Sequence, residues 1–163
     1  MSRKRDKEDF VKAITENENL IHKITHIYAS IREEREDLKQ EIIYQLWKSW
    51  KTFRHESKIQ TWMYRVALNS ALFYRNKPRL LKTQLDENKI NPAVYNPDFD
   101  HVSEVEQLFR AIKKLNELDQ AIIMLWLEKL KYKEIGEITG LSEKNISVKI
   151  HRIKSKLKEL IEL

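Results

Sequence analysis

The chain has 163 residues, 41% of them hydrophobic, with a net charge of +6 and a pI near 9.4, enough for one domain or two small ones. The absence of cysteine excludes a disulfide framework and a thiolate metal site. No apolar run nears the roughly 20 residues that span a bilayer, and MSRKRDKEDF lacks a signal-peptide core, so a soluble, cytoplasmic protein is expected.

Two glycines and three prolines among many Leu, Ile, Lys and Glu predict helix nearly throughout. Residues 9–16 and 20–34 read as two helices, the second with Leu20, Ile24, Ile27, Tyr28 and Ile31 at helical spacing. A third is predicted from about Glu36 to Lys51 on the stripe Leu38, Ile42, Leu46 and Trp50. After a break at FRHES, the pair Ser57 and Gln60 has capping-box spacing and opens a helix over residues 58–77, which Pro78 ends. Residues 79–102 carry the other two prolines, both after Asn, and no helical period, which predicts a linker. Helix resumes at Ser103, with Val105, Leu108, Phe109, Ile112 and Leu115, breaks at NELD, and continues through Ile122, Leu125, Trp126 and Leu130.

Both glycines fall in the next stretch, YKEIGEITGLSEKNISVKIHRIK. A short segment with Ile135 and Ile138 inward ends at Gly140, where a left-handed C-terminal residue belongs. Ser142 then stands at an N-cap position before a helix with Ile146, Ile150, Ile153, Leu157 and Leu160 on one stripe. Gly136, one turn earlier, is expected to let the second helix cross closely over the first, as in a helix-turn-helix. The outer face of that second helix presents Lys144, Val148, Arg152 and Ser155, flanked by Asn145 and Lys149. Lys149, Arg152 and Lys156 suit phosphates or guanine edges, Asn145 suits adenine, and Val148 a thymine methyl. The bland reading is a solvated lysine-rich face on a structural hairpin.

Eight aromatic residues lie between Tyr44 and Tyr74. Trp47 and Trp50 read as core. On the following helix Arg65, Asn69 and Asn76 form a polar stripe bordered by Trp62 and Phe73, the mixture that holds unstacked bases at roughly 1–3 kcal/mol each. Arg and Asn paired inside a helical core would give the same pattern. Asp37, Gln40, Glu41 and Gln45 lie opposite the Leu38, Ile42, Leu46 stripe, either an ordinary solvated face or one for a protein partner.

The stretch REDLKQEIIYQLWKSWKTFRHESKIQTWMYRVALNSALFYR resembles the second conserved region of bacterial sigma factors, and LNELDQAIIMLWLEKLKYKEIGEITGLSEKNISVKIHRIKSKLKEL resembles the fourth. The motifs D-L-x-Q-E, T-W-x-Y-R-[IV]-A-x-N and Y-x-E-I-[AG], in this order across a plain linker, resemble the extracytoplasmic-function (ECF) group of the sigma-70 family. The resemblance implies an all-α chain of two small helical domains joined by a flexible linker: a region-2-like domain over 1–78, a linker over 79–102, and a region-4-like helix-turn-helix domain over 103–163. It implies that Asp37, Gln40 and Glu41 bind the β′ clamp helices of core RNA polymerase. It places Phe53, Ser57, Lys58 and Ile59 of one loop, with Trp62, Arg65, Asn69 and Phe73, at the minus-ten promoter element. Ser142, Lys144, Asn145, Val148, Lys149, Arg152 and Lys156 would meet the minus-thirty-five element, and the same domain would rest on the β flap. The linker, with Asp86, Glu87, Asp98 and Asp100, would thread towards the active-site cleft and RNA exit channel. An anti-sigma factor is a frequent partner in this family, and one could hold the protein at the membrane without direct insertion.

Several positions depart from the family pattern: Ile59 for a frequent phenylalanine, Leu68 for a basic residue, Phe73 for an aspartate, and Asn145-Ile146-Ser147 for Thr-Val-Lys. Base-reading positions are among those changed, so the promoter sequence does not follow. No catalytic residue, metal or cofactor is expected, because the five histidines are scattered and neither a phosphate loop nor metal-ligand spacing occurs. The rivals are a free-standing helix-turn-helix regulator on palindromic half-sites and a helical adaptor that binds only protein.

Overall fold

A computed structural model describes residues 2–76 and 103–162, whose regular structure is helical throughout. The elements are α1 (Ser2–Glu16), α2 (Glu18–Tyr28), α3 (Arg32–Trp50), α4 (Ile59–Asn76), α5 (Glu104–Lys113), α6 (Glu117–Leu127), α7 (Tyr132–Thr139) and α8 (Glu143–Glu162). The predicted linker and its four acidic residues lie outside the described residues, as does Pro78.

The helix expected over 20–34 is divided. α2 stops at Tyr28, and α3 begins at Arg32 rather than near Glu36. Ala29 and Ile31 are extended, at φ −127°, ψ 136° and φ −108°, ψ 160°. Arg35 reaches back to the corner, its Nε donating to the Ala29 carbonyl and its Nη2 to the Ser30 carbonyl, both at 3.2 Å. The Ser30 N–H in turn donates to the Glu34 carboxylate at 3.3 Å. A corner closed by side chains without Gly or Pro leaves the apolar period almost unbroken, which is why periodicity runs through it.

Other boundaries have legible chemistry. The side-chain oxygens of Ser103, Asn116 and Ser142 accept from the N–H groups of Glu106, Asp119 and Asn145 at 3.2, 2.9 and 3.2 Å, so α5, α6 and α8 each start on an N-cap. Gly140 has φ +79° and its N–H donates to the Gly136 carbonyl at 2.8 Å. A Cβ added to Gly136 would stand 2.5 Å from the Leu141 carbonyl oxygen. The close approach is therefore to the turn backbone, not to the crossing helix that the sequence suggests.

The core of the first half comes from Leu20, Ile21 and Ile24 of α2, Leu38, Ile42 and Leu46 of α3, and Met63 and Ala67 of α4. In the second half Ile112, Ile122, Leu125, Ile135, Ile146 and Ile150 fill the same role. The two sets belong to one contiguous apolar cluster, with α4 packed on α7 and α2 on α5. Polar groups tie the seam. Tyr28 Oη donates to the Glu117 carbonyl (3.2 Å), Arg75 Nη1 donates to Gln120 Oε1 (3.2 Å), and Lys23 pairs with Glu128. Burial, with the Glu128 carboxylate beside it, pushes the Tyr64 phenol well above its ordinary range.

Candidate nucleic-acid and protein interfaces

Three surfaces collect the residues singled out in the sequence. On α3, Asp37 and Gln40 are exposed and Glu41 half-buried, opposite Leu38, Ile42 and Leu46. Gln45 Nε2 donates to Glu41 Oε1 at 2.9 Å, which fixes that carboxylate on the helix. The face continues into Tyr44, 56% exposed, and Trp47, 42% exposed. Trp47 is therefore not core. It leans edge-on against Phe10 of α1, ring centroids 5.0 Å apart, and offers its remaining surface to solvent. An acidic face ending in two exposed rings resembles a protein-docking patch more than a solvated one, because aromatics anchor interfaces. Periodicity missed it because position 47 falls only one place from the buried Leu46.

The second surface is the loop before α4 and the helix itself. Phe53 sits between Trp50 and Trp62, at 6.4 and 4.9 Å, and packs on His55 at 4.4 Å. His55 holds φ +57°, a left-handed corner unusual for a non-glycine residue. Phe53 and Trp62 are half-buried and anchor the loop, while Arg65, Asn69 and Phe73 rise along α4 on its exposed side. The stripe thus lies at the surface, which excludes the buried Arg–Asn pairing that the sequence leaves open. Ser57 and Ile59 are half-buried at the loop's end. Lys58 and Arg65 are engaged by α7. Lys58 Nζ lies 3.1 Å from Glu134 Oε1, and Arg65 Nη2 donates to the Glu137 carbonyl at 2.9 Å.

The third surface is α8. Lys144, Asn145, Val148, Arg152 and Lys156 are exposed, Val148 at 43%, and among the described residues no carboxylate pairs with Lys144, Arg152 or Lys156. Other cations of this helix are committed elsewhere. Lys149 pairs with Asp119 at 3.1 Å, and Lys154 lies 3.8 Å above the Trp126 ring. Lys149 is thus drawn back towards the start of α6, and Ser142 serves as the cap. The outward cationic ridge narrows to Lys144, Arg152 and Lys156 around Val148.

Among the described residues no group of His, Asp and Glu could hold a metal ion, and no helix is long and apolar enough to cross a membrane.

Known proteins are similar to this chain. The family model for sigma-70 region 2 matches residues 13–79, and that for sigma-70, region 4 matches residues 105–157. The RNA polymerase sigma factor YlaC of Bacillus subtilis is 27% identical over 78% of this chain and 77% of its own. The ECF RNA polymerase sigma-E factor of Haemophilus influenzae is 28% identical over 96% and 89%. The sigma factor RpoE of Bartonella quintana, solved in complex with the anti-sigma factor NepR, has the same fold, with a TM-score of 0.75 at 18% identity over 96% of this chain and 98% of that one. The chain belongs to the sigma-70 family of RNA polymerase sigma factors, in its ECF group.

Proposed function

We propose that the protein binds core RNA polymerase through α3 and directs it to promoters through α4 and α8. Asp37, Gln40 and Glu41, extended by Tyr44 and Trp47, form the patch for the β′ clamp helices. Asn69, Phe73, Arg65 and Lys58, on a loop and helix anchored by Phe53 and Trp62, receive the minus-ten element. Lys144, Asn145, Val148, Arg152 and Lys156 meet the minus-thirty-five element in the major groove, with Lys149 in a supporting place. In this reading residues 1–78 and 103–163 act as the two promoter-binding domains, and the helix-turn-helix domain rests on the β flap. The protein acts in the cytoplasm and performs no catalysis of its own; binding energy opens the duplex and the polymerase does the chemistry. An anti-sigma factor is a natural partner, since RpoE was solved with NepR and CnrH with the cytosolic domain of CnrY.

The observation that carries this reading is the presence, on one chain, of an acidic-aromatic helix face and, on a helix-turn-helix, a cationic ridge that no described carboxylate pairs. A free-standing regulator needs only the second. Gel filtration of the protein with bacterial core RNA polymerase, beside Asp37→Arg/Glu41→Arg, tests it. Stoichiometric co-elution lost in the double variant is expected. Absence of co-elution with salt-sensitive duplex binding retained would favour the free-standing regulator.

A further inference from the structure

Where the two halves meet, a cleft of about 410 Å3 opens between α2, the start of α3 and α5. One wall is a stripe of α3, where Arg32, Arg35 and Lys39 stand at helical spacing. The other carries His22 and His26 of α2, with Phe109 of α5 closing the end; Glu36 of α3 is the one acid in the lining, and His22 Nε2 stands 3.3 Å from Glu18 Oε1. Lys39 is offset by Glu18 at 3.2 Å. Arg35 meets only the carbonyls of Ala29 and Ser30, and among the described residues no carboxylate pairs with it or with Arg32.

Positive charge accumulates at this seam. Burial, then the Arg35 guanidinium and Lys113, hold the His26 imidazole below its ordinary range. Burial, then Arg35, lower the Lys113 ammonium as well. Glu36 offsets one of these charges, which leaves the Arg32 and Arg35 guanidinium groups in excess over the acids of the lining. Like charges brought together in a half-buried site repel each other unless an anion joins them. The Arg32 guanidinium supplies paired donors in the geometry that phosphate oxygens accept, Arg35 keeps its Nη1 group beyond its two carbonyl bonds, and the His26 imidazole adds a further N–H. The ring of Phe109, edge-on to His26 at 5.3 Å, gives the cleft one apolar boundary.

We propose that this cleft is a binding site for a compact phosphate-bearing anion, a nucleotide or an inorganic polyphosphate, held chiefly by Arg32, Arg35 and Lys39. Because Phe109 comes from the second half and the cations from the first, an occupied cleft favours the packed arrangement of the two halves. The site is separate from the promoter-directed faces of α4 and α8, and its existence does not depend on how those faces act.

The test is isothermal titration of the full-length chain with tripolyphosphate and with ATP at constant ionic strength. Arg32→Gln, Arg35→Gln and the distant surface variant Lys51→Gln are run beside it. One saturable site is expected, weakened at least tenfold by Arg32→Gln and unchanged by Lys51→Gln. Equal affinity for both ligands assigns recognition to the phosphates alone; tighter ATP adds the nucleoside. Arg35→Gln also loosens the corner at Ala29, so Arg32→Gln, whose side chain bonds to nothing else described, is the deciding variant. Non-saturable binding, or equal losses in Arg32→Gln and Lys51→Gln, would overturn the proposal in favour of diffuse attraction to a basic protein. Hydrogen exchange along α2 and α5 supplies an independent readout: saturating tripolyphosphate should slow it, and unchanged exchange with binding present would refute the coupling to packing.

Discussion

Alanine at Gly136 sets two effects of opposite sign against each other. Within a helix, Gly→Ala ordinarily stabilises by about 1 kcal/mol, because alanine loses less conformational freedom on folding. Here the new Cβ would stand 2.5 Å from the carbonyl oxygen of Leu141, a backbone atom with no rotamer to escape into. Displacing a packed turn costs roughly 1–3 kcal/mol, by analogy with overpacked cores, and the turn includes the Ser142 cap of α8. The clash offsets or outweighs the helix gain, giving a net loss of up to about 2 kcal/mol, or up to roughly 8 °C in Tm for a chain of this size. Gly140→Ala isolates the other requirement: nothing lies within 4 Å of its Cβ, but φ is +79°, so the cost is backbone strain of about 1–2 kcal/mol, partly recovered by Asn. Urea unfolding followed by tryptophan fluorescence measures both. A Gly136→Ala midpoint above that of the parent chain would refute the close approach of α7 to the turn.

The remaining predictions concern charge and exposure. Arg152→Gln should shallow the dependence of log duplex affinity on log salt by about 0.9 and leave the unfolding midpoint nearly unchanged. Lys149→Gln, tied to Asp119, should instead lower stability by up to about 1 kcal/mol and alter the slope less; equal slopes for the two variants would contradict the division of roles on α8. The Glu134 carboxyl is held below its ordinary value of 4.5, first by the N–H of Lys131 and then by Lys58. A depressed folded value means that its contribution is full above pH 4.5 and is lost as pH falls through the folded value. Glu134→Gln should therefore flatten the stability–pH profile below pH 4.5 and lower stability at neutral pH. Tyr44→Ala should weaken binding to core polymerase roughly 30-fold, the effect of an aromatic anchor of about 2 kcal/mol, with little change in unfolding. Unchanged affinity would return that ring to ordinary surface.

Much of this molecule is legible in its sequence because local chemistry sets the boundaries. Ser103, Asn116 and Ser142 cap helices where side chain and apolar stripe agree, and Gly140 marks its turn by a conformation that few residues tolerate. The α2–α3 corner was hidden because Arg35 makes it from a distance of several residues, which periodicity does not register. Trp47 is hidden from periodicity for a different reason. A tryptophan on a helix beside a buried stripe carries the same hydrophobic weight whether it faces in or out, and only the position of Phe10 on α1 decides. The partners of Lys58, Arg65 and Lys149 are tertiary, and a sequence pattern cannot show that a cation has already found a partner.

That commitment bears on how the promoter-directed surface becomes available. Lys58 and Arg65 face α7 in the packed arrangement, so delivering both to DNA requires α4 and α7 to part. An exposed ion pair contributes about 0–1 kcal/mol and a hydrogen bond roughly 0.5–1.5 kcal/mol, which makes these two contacts a weak latch over an apolar seam. Each 1.4 kcal/mol by which the packed form is favoured lowers apparent affinity for a partner of the open form about tenfold. Reversing the latch at Lys58→Glu sets two carboxylates against each other while sparing the cap that Glu134 gives α7 through Lys131 N–H. Combined with Arg65→Gln, it should raise hydrogen exchange across the α4–α7 seam several-fold and leave the buried α3 stripe protected. Exchange that rises equally in α3 would mean that the first half itself is failing. Unchanged exchange at the seam would mean that apolar packing alone holds α7 on α4.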